Sequence, residues 1–183
     1  MTACRTSSGL VGTVGRLPIG VIWAAFDPHE TPASRRLLEA AAAHSVPVER
    51  PAPGDSFQIG SGTIEVLGPL RRYDSPNDQS IVLLVTLGDT RLLLSGDIET
   101  VAQRELQVHR VEVLKVPHQG AATSDEGWLR EHAGRVAVIS VGHNSFGHPA
   151  DRVIEILEAS GAEVVRTDQE GDVVIDFALD PSK

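Results

Sequence analysis

Three segments of the sequence place side chains that can bind a metal or carry a proton just after apolar runs. Asp97 closes "LLLSGD", His118 closes "VEVLKVPH", and His148 lies in "HNSFGHP", which follows "VAVISVG". In sheet proteins, ligands tend to bind beyond the carboxyl ends of strands. One Asp and two His at such ends match zinc in type, because zinc takes imidazole nitrogen and carboxylate oxygen. A metal held there would lower the pKa of a bound water toward about 7, which is hydrolytic chemistry. The set is thin, since a catalytic zinc takes about three protein ligands. Gln119, directly after His118, is a poor ligand. Each residue also has a plainer role. Asp97 can cap the helix that starts at Ile98, and His148 can cap the helix after Pro149. His118 can be a turn residue bonded to backbone. Asn77, Asp78 and Ser80 in "SPNDQS" fit a turn that enters a strand.

The elements around these residues alternate. "IGVIWAAF" (19–26) is a continuous apolar run and fits a buried strand. A helix follows, with Thr31 as cap, Pro32 in its first turn, and Leu37, Leu38, Ala41 and Ala42 on one face. "VPVER" is a short strand. "DSFQIGSGTIEVLGP" reads as a hairpin turning at Gly-Ser-Gly, and "SIVLLVTLGDTRLLLSGD" as one turning at Gly88-Asp89-Thr90. A helix is predicted over "IETVAQRELQ" with acidic residues in its first turn. Then come the strand "RVEVLKVP", a helix with a Ser124 cap, the strand "RVAVISVG", the helix "PADRVIEILEASG", the strand "AEVVRT", the turn "DQEGD" and a last strand "VVIDFAL". Paired strands early and alternating elements later predict a mixed sheet, or two sheets, with helices outside.

The bulk composition narrows the function. The chain has 183 residues, 41 % hydrophobic and 22 % charged, as in soluble globular domains. No apolar run approaches the ~20 residues of a membrane span, and the first ten residues lack the apolar stretch of a signal peptide. Cys4 is the single cysteine, so neither an internal disulfide nor a thiolate metal cluster is available. A net charge of −9 argues against charge-driven binding to duplex nucleic acid. It leaves open a nucleic acid substrate held through a metal. Lys occurs only at 115 and 183.

The segments "NDQSIVLLV", "RLLLSGDIE", "VEVLKVPHQGAATSD", "VAVISVGHNSFGHP" and "GAEVVRTDQEGDVVI", in this order, resemble the C-terminal metallo-β-lactamase-like domain of the ComEC DNA-uptake (competence) proteins. The similarity runs from about Gly9 to Ile175. It implies an αββα sandwich with a Zn or Mn site at one edge. It also implies a metal-dependent nuclease attached to a membrane channel, acting on the DNA strand that is not imported. By this resemblance Asp97 corresponds to the metal-bridging Asp of a Gly-Asp motif. His118 corresponds to the first His of "PHHG", a ligand of the second metal. His148 corresponds to the "GHP" histidine near the substrate, and Asn77 and Ser80 to an "NDxS" motif that shapes the site.

Two departures bear on activity. The second His of "PHHG" is Gln119 here. The family's HxHxDH motif should lie just before Gly9-Leu10, and in that register its ligand positions hold Met1, Ala3, Arg5 and Thr6. None is a good ligand, and Arg5 brings positive charge where a cation should bind. The expectation is one partial domain over residues 1–183, an N-terminally truncated metallo-β-lactamase-like α/β sandwich without catalysis of its own. It is expected to hold no ion, or one weakly bound ion on Asp97 and His118. The alternative is an active metal-dependent phosphodiesterase or nuclease acting on DNA through Asp97, His118 and His148. A non-catalytic DNA-binding partner of a channel is a third class, against which the acidic charge counts. Expected partners are single-stranded DNA, a membrane channel domain, and a second copy through a sheet edge left open by the missing strands. The expected location is that of a soluble domain, either attached to a channel or cytoplasmic.

Overall fold

A computed structural model describes residues 9–25 and 31–176. Its centre is a seven-stranded sheet in the order β3-β4-β5-β6-β7-β8-β9. These strands are β3 (Ser56–Ile59), β4 (Gly62–Gly68), β5 (Val82–Leu87), β6 (Thr90–Leu94), β7 (Val113–Lys115), β8 (Val136–Ile139) and β9 (Glu163–Arg166). From β3 to β6 neighbours are antiparallel, and from β6 to β9 they are parallel. The switch follows from the connections. Tight turns between β3 and β4 and between β5 and β6 force antiparallel neighbours. The later strands are joined through helices, which allow parallel return. Those helices are α2 (Thr100–Glu105), α3 (Glu126–His132) and α4 (Asp151–Ala159). The result that matters for function is that β6, β7, β8 and β9 all end on the same rim.

The main core is made where the parallel half of the sheet meets these helices. Leu93, Leu114 and Ile139 from the sheet are fully buried with Ile98, Leu129 and Leu157. Each such Leu or Ile stabilises the fold by roughly 1.5–3 kcal/mol. A smaller second core joins Ile22 of β1 (Ile22–Trp23) and Val14 to Leu37 and Ala41 of α1 (Pro32–Ala43). Strand β1 pairs in parallel with β2 (Val48–Glu49) as a separate two-stranded sheet. Trp23 of β1 meets Phe57 of β3 with ring centroids 4.5 Å apart, so the small sheet touches the edge strand of the large one. Of the two expected arrangements the large sheet is the mixed one, with helices packed on it and a separate two-stranded sheet beside it.

Helix α1 begins as the sequence predicts. Thr31 Oγ1 accepts from Ser34 N–H at 3.0 Å, and Ser34 Oγ accepts from Thr31 N–H at 3.2 Å, a reciprocal capping box. Other local readings need correction. Helix α3 is capped by Asp125 rather than Ser124, with Oδ1 accepting from Trp128 N–H at 2.9 Å. The run 19–26 is a strand only at Ile22–Trp23, because its one partner, β2, is two residues long. Its last residue lies outside the described residues. The "DQEGD" turn is a helical turn, α5 (Thr167–Glu170), which stops at Gly171 with φ +74°. Residues 173–176 of the expected last strand pair with nothing in the sheet, and the rest of that strand lies outside the described residues. Neither Asp97 nor His148 caps a helix: the cap positions of α2 and α4 are Glu99 and Ala150, and neither uses its side chain to do so.

Candidate functional site

Asp97 follows β6, His118 follows β7 and His148 follows β8, so parallel pairing brings all three to one rim. The loop after β6 is pressed onto the "NDQS" segment. Gly96 has φ +59°, and a Cβ there would lie 2.5 Å from Ser80 Cβ, so only glycine fits the turn. Asp97 N–H donates to Ser80 Oγ at 3.0 Å. Asp78 Oδ1 accepts from Glu99 N–H at 2.6 Å and thereby caps α2 from outside the helix. Ser75 Oγ donates to Glu99 Oε2 at 3.0 Å. The segment therefore braces the two carboxylate-bearing residues Asp97 and Glu99.

The loop Pro117–Gly120 after β7 is strained. His118 (φ 46°) and Gln119 (φ 56°) both sit in the left-handed region. Non-glycine residues there cost about 1–3 kcal/mol each unless their surroundings compensate. Here His118 N–H donates to Gly96 O at 3.2 Å, and Ala150 N–H donates to Gly120 O at 2.9 Å, so the loop is tied to both neighbouring rim loops. Gly120 has φ +77°, and a Cβ there would lie 2.7 Å from Pro149 Cβ. This conformation turns the His118 ring inward, where it is 6 % exposed. Its Nδ1 lies 3.4 Å from Glu99 Oε1, outside hydrogen-bond alignment, and its Nε2 has no protein partner among the described residues. The ring of His148 meets it edge-on with centroids 5.2 Å apart. Phe146 in turn lies nearly parallel to His148 at 6.1 Å and 24°.

The electrostatics centre on a lysine. Lys115 Nζ donates to Gly96 O at 2.6 Å and lies 3.7 Å from Asp97 Oδ1, with the side chain 24 % exposed. Burial pulls its pKa below the ordinary lysine value, and Asp97 opposes that pull. Burial pushes the Glu99 carboxyl up, but hydrogen bonds from Thr123, Ser75 and Asn77 and the proximity of His118 outweigh it and hold the group below its ordinary value. His148 is held below the ordinary histidine value, first by burial and then by His118, with Asp97 acting in the opposite sense.

Asp97, His118, His148, Asn77 and Ser80 are thus all gathered at this rim, directly or through Glu99. Sequence reasoning missed Lys115 and Glu99, and it gave Asp78 only as a turn residue. The one available signal was that Lys115 is a lone lysine in a chain that otherwise uses arginine up to residue 183. Glu99 looked like an ordinary acidic residue in a first helical turn.

The metal that the resemblance implies can be tested against this donor set. Asp97 and the unpartnered Nε2 of His118 are suitable donors. No group of three His, Cys, Asp or Glu side chains able to hold an ion occurs among the described residues. Lys115 already faces the Asp97 carboxylate. Two donors, one of them facing an ammonium, fall short of the three that a catalytic zinc takes. The described residues therefore do not complete a metal site. Met1, Ala3, Arg5 and Thr6, which hold the HxHxDH register, lie outside the described residues.

Comparison with known proteins agrees with the sequence blocks. The chain is 31 % identical over 149 residues to ComE operon protein 3 of Bacillus subtilis (strain 168), covering 78 % of this chain and 19 % of that protein. It is 34 % identical over 116 residues to competence protein ComA of Neisseria gonorrhoeae, covering 58 % of this chain and 17 % of that protein. The chain thus spans less than a fifth of the length of each of these relatives. The crystal structure of Zn²⁺-bound PqqB from Methylobacterium extorquens superposes with a TM-score of 0.44 and 14 % identity over 86 % of this chain and 63 % of that one, too loosely to carry a functional argument. No family model matches the chain.

Proposed function

The chain belongs to the ComEC family of competence proteins, and on that premise we propose that it is a DNA-handling domain whose hydrolase-type site lacks catalysis of its own. The observation that carries this reading is the pairing at the rim: the Lys115 ammonium faces the carboxylate of Asp97, 3.7 Å away, where the family would use a cation. Gln119 beside His118 adds to it. A glutamine amide hydrogen-bonds but cannot stand in for imidazole as a zinc ligand or proton carrier. On this reading the carboxylate of Asp97 is neutralised from within the chain, and the rim is held together without an ion. Asn77 and Ser80 act as braces for Glu99 and Asp97 rather than as reacting groups. No helix among the described residues is long and apolar enough to cross a membrane. The partners consistent with the family are single-stranded DNA and the channel portion of a longer protein.

One observation favours a second reading. The buried His118 has an Nε2 without a partner among the described residues, and its Nδ1 is backed by Glu99. A carboxylate behind a histidine is the arrangement that orients a metal ligand. If residues outside the described ones complete the donor set, the domain is an active metal-dependent phosphodiesterase or nuclease. The deciding assay measures hydrolysis of single-stranded DNA by the unmodified chain, by Gln119→His and by Asp97→Ala with added Mn²⁺ or Zn²⁺. The proposal expects no chelator-sensitive turnover from any of the three. Turnover by the unmodified chain that Asp97→Ala abolishes would establish the second reading instead.

A further inference from the structure

We infer that Gln119 reads the edge of an unpaired nucleobase, with adenine the best-matched base, in a depression formed where β7, β8 and β9 end. This rests on the reading that the domain handles DNA, and it names the part of the DNA that is held. The depression has a volume of about 210 Å³ and is lined by Gln119, Ser140, Val141, Gly142, His143 and Thr167. The left-handed backbone at His118 and Gln119 divides two neighbouring side chains between two places. The imidazole is turned inward to the rim, and the amide lines the depression.

Three features point to a ligand of this kind. First, polar groups of the lining are unused. The Gln119 amide, the Ser140 hydroxyl and the His143 ring make no hydrogen bond or ion pair with the described residues. Gln119 is also held at φ 56°, and strained non-glycine residues cluster at ligand clamps and active sites. Second, the frame is set in advance. Thr167 Oγ1 accepts from Val141 N–H at 2.8 Å and donates to Val141 O at 2.7 Å. Asn144 Nδ2 donates to Gly142 O at 2.9 Å and to His148 O at 2.8 Å. Little ordering cost therefore remains when a ligand arrives. A Cβ added at Gly142 would meet nothing within 4 Å, so the depression is open there.

Third, the lining carries no carboxylate, ammonium or guanidinium. Arg166, next to Thr167, is already paired with Asp168 through bonds of 3.0 and 2.7 Å. Lys115 is engaged by Gly96 O and Asp97. A phosphate finds no free cation in this lining, and the net charge of −9 disfavours it further. A neutral group that offers a donor beside an acceptor fits instead.

A primary amide presents that same pair in complementary order. The adenine amino group donates to the amide oxygen while a ring nitrogen accepts from the amide N–H. Adenine carries an acceptor nitrogen on each side of its amino group, so either edge serves. In a duplex one edge is paired and the other lies in a groove ~8.5 Å deep, out of reach of an amide set in a depression. The volume is below the ~300–1,000 Å³ of a pocket that encloses a small molecule, which suits a base edge with sugar and phosphate left outside. The ligand class is therefore single-stranded nucleic acid, held here by a base.

An NMR titration of the isotope-labelled chain in EDTA tests this, apart from any hydrolysis. The probes are an oligodeoxyadenylate of about 6 nucleotides and an abasic strand of equal length. The side-chain amide signals of Gln119 should shift with the adenylate and not with the abasic strand. The adenylate should bind about tenfold more tightly, within the range for one bidentate base contact. Gln119→Ala and Gln119→Glu should each remove that difference, because neither side chain donates to a ring nitrogen. Gln119→Glu keeps the shape of the side chain, and its added charge acts on both strands alike. Gly142→Leu fills the open side of the depression and should also remove the difference, with abasic binding unchanged. A difference that survives Gln119→Glu or Gly142→Leu overturns the assignment of a base to this depression. Equal binding of the two strands overturns base reading and leaves the DNA-handling reading in place. Binding of neither strand overturns both.

Discussion

Nδ1 of His118 and Oε1 of Glu99 lie 3.4 Å apart, joining the strained loop after β7 to the start of α2. Glu99 is itself held by Ser75 and by the amide of Asn77, with its backbone N–H on Asp78. The relationship therefore spans three segments, and the orientation of the one buried histidine at this rim depends on all of them.

Removing Glu99 should loosen the rim. Glu99→Ala leaves Ser75 Oγ without its acceptor and His118 without its facing carboxylate. A part-buried network that loses one member costs about 1–3 kcal/mol. Urea unfolding should show a lower midpoint with an unchanged slope. A midpoint equal to that of wild type would mean that Glu99 is only a solvated helix-start residue.

Lys115 and Asp97 should be energetically coupled. In a double-mutant cycle of Lys115→Met and Asp97→Asn, the two losses of stability should be non-additive by about 1 kcal/mol. Simple additivity would show that the 3.7 Å approach is incidental. In the same preparations, Lys115→Met should bind Mn²⁺ more tightly than wild type by calorimetry, because the competing ammonium is gone.

Gly120→Ala should be among the costliest small substitutions in the chain. Its φ of +77° disfavours any side chain, and the new methyl would meet Pro149 Cβ at 2.7 Å. The expected loss is about 1 kcal/mol or more from the backbone alone. Gly54→Ala is the control, with φ +94° and nothing within 4 Å of an added Cβ. Equal losses at the two sites would show that the contact between the His118 and His148 loops adds nothing.

Tyr73 supplies a pH-dependent prediction with a clean readout, since it is the only tyrosine. Its phenol is buried and donates to Glu105 Oε2 at 2.9 Å. Burial and then the Glu105 carboxylate push its pKa up from 10.0 to about 12. A group whose folded pKa is raised contributes stability that is complete below the unfolded value and is lost as pH rises through the folded one. The contribution of Tyr73 should therefore be intact below about pH 10 and fade between about 10 and 12. Phenolate absorbance should titrate above pH 10 in the folded chain and near 10 in urea. A midpoint near 10 in both states would contradict the buried pairing.

The sequence by itself determined the alternation of elements, both hairpins, the capping box at Thr31 and the positions of Asp97, His118 and His148 after apolar runs. These are legible because turn glycines, caps and apolar periodicity act over a few residues. It also carried the family resemblance, because ordered blocks of similar residues need no three-dimensional information. The sequence could not place Lys115 against Asp97, since that contact depends on the pairing of Leu94 with Lys115 across two strands that form a parallel ladder only after α2 has crossed back. Nor could it show that "NDQS" braces Asp97 and Glu99, because a turn motif looks the same whichever loop it packs on. The left-handed backbone of His118 and Gln119 runs against the local preference of both residues. The hydrogen bonds to Gly96 and from Ala150, supplied by two other loops, tie it in place. Chemistry at this rim is therefore written in the sequence as residue types, and tertiary packing decides which of those residues face one another.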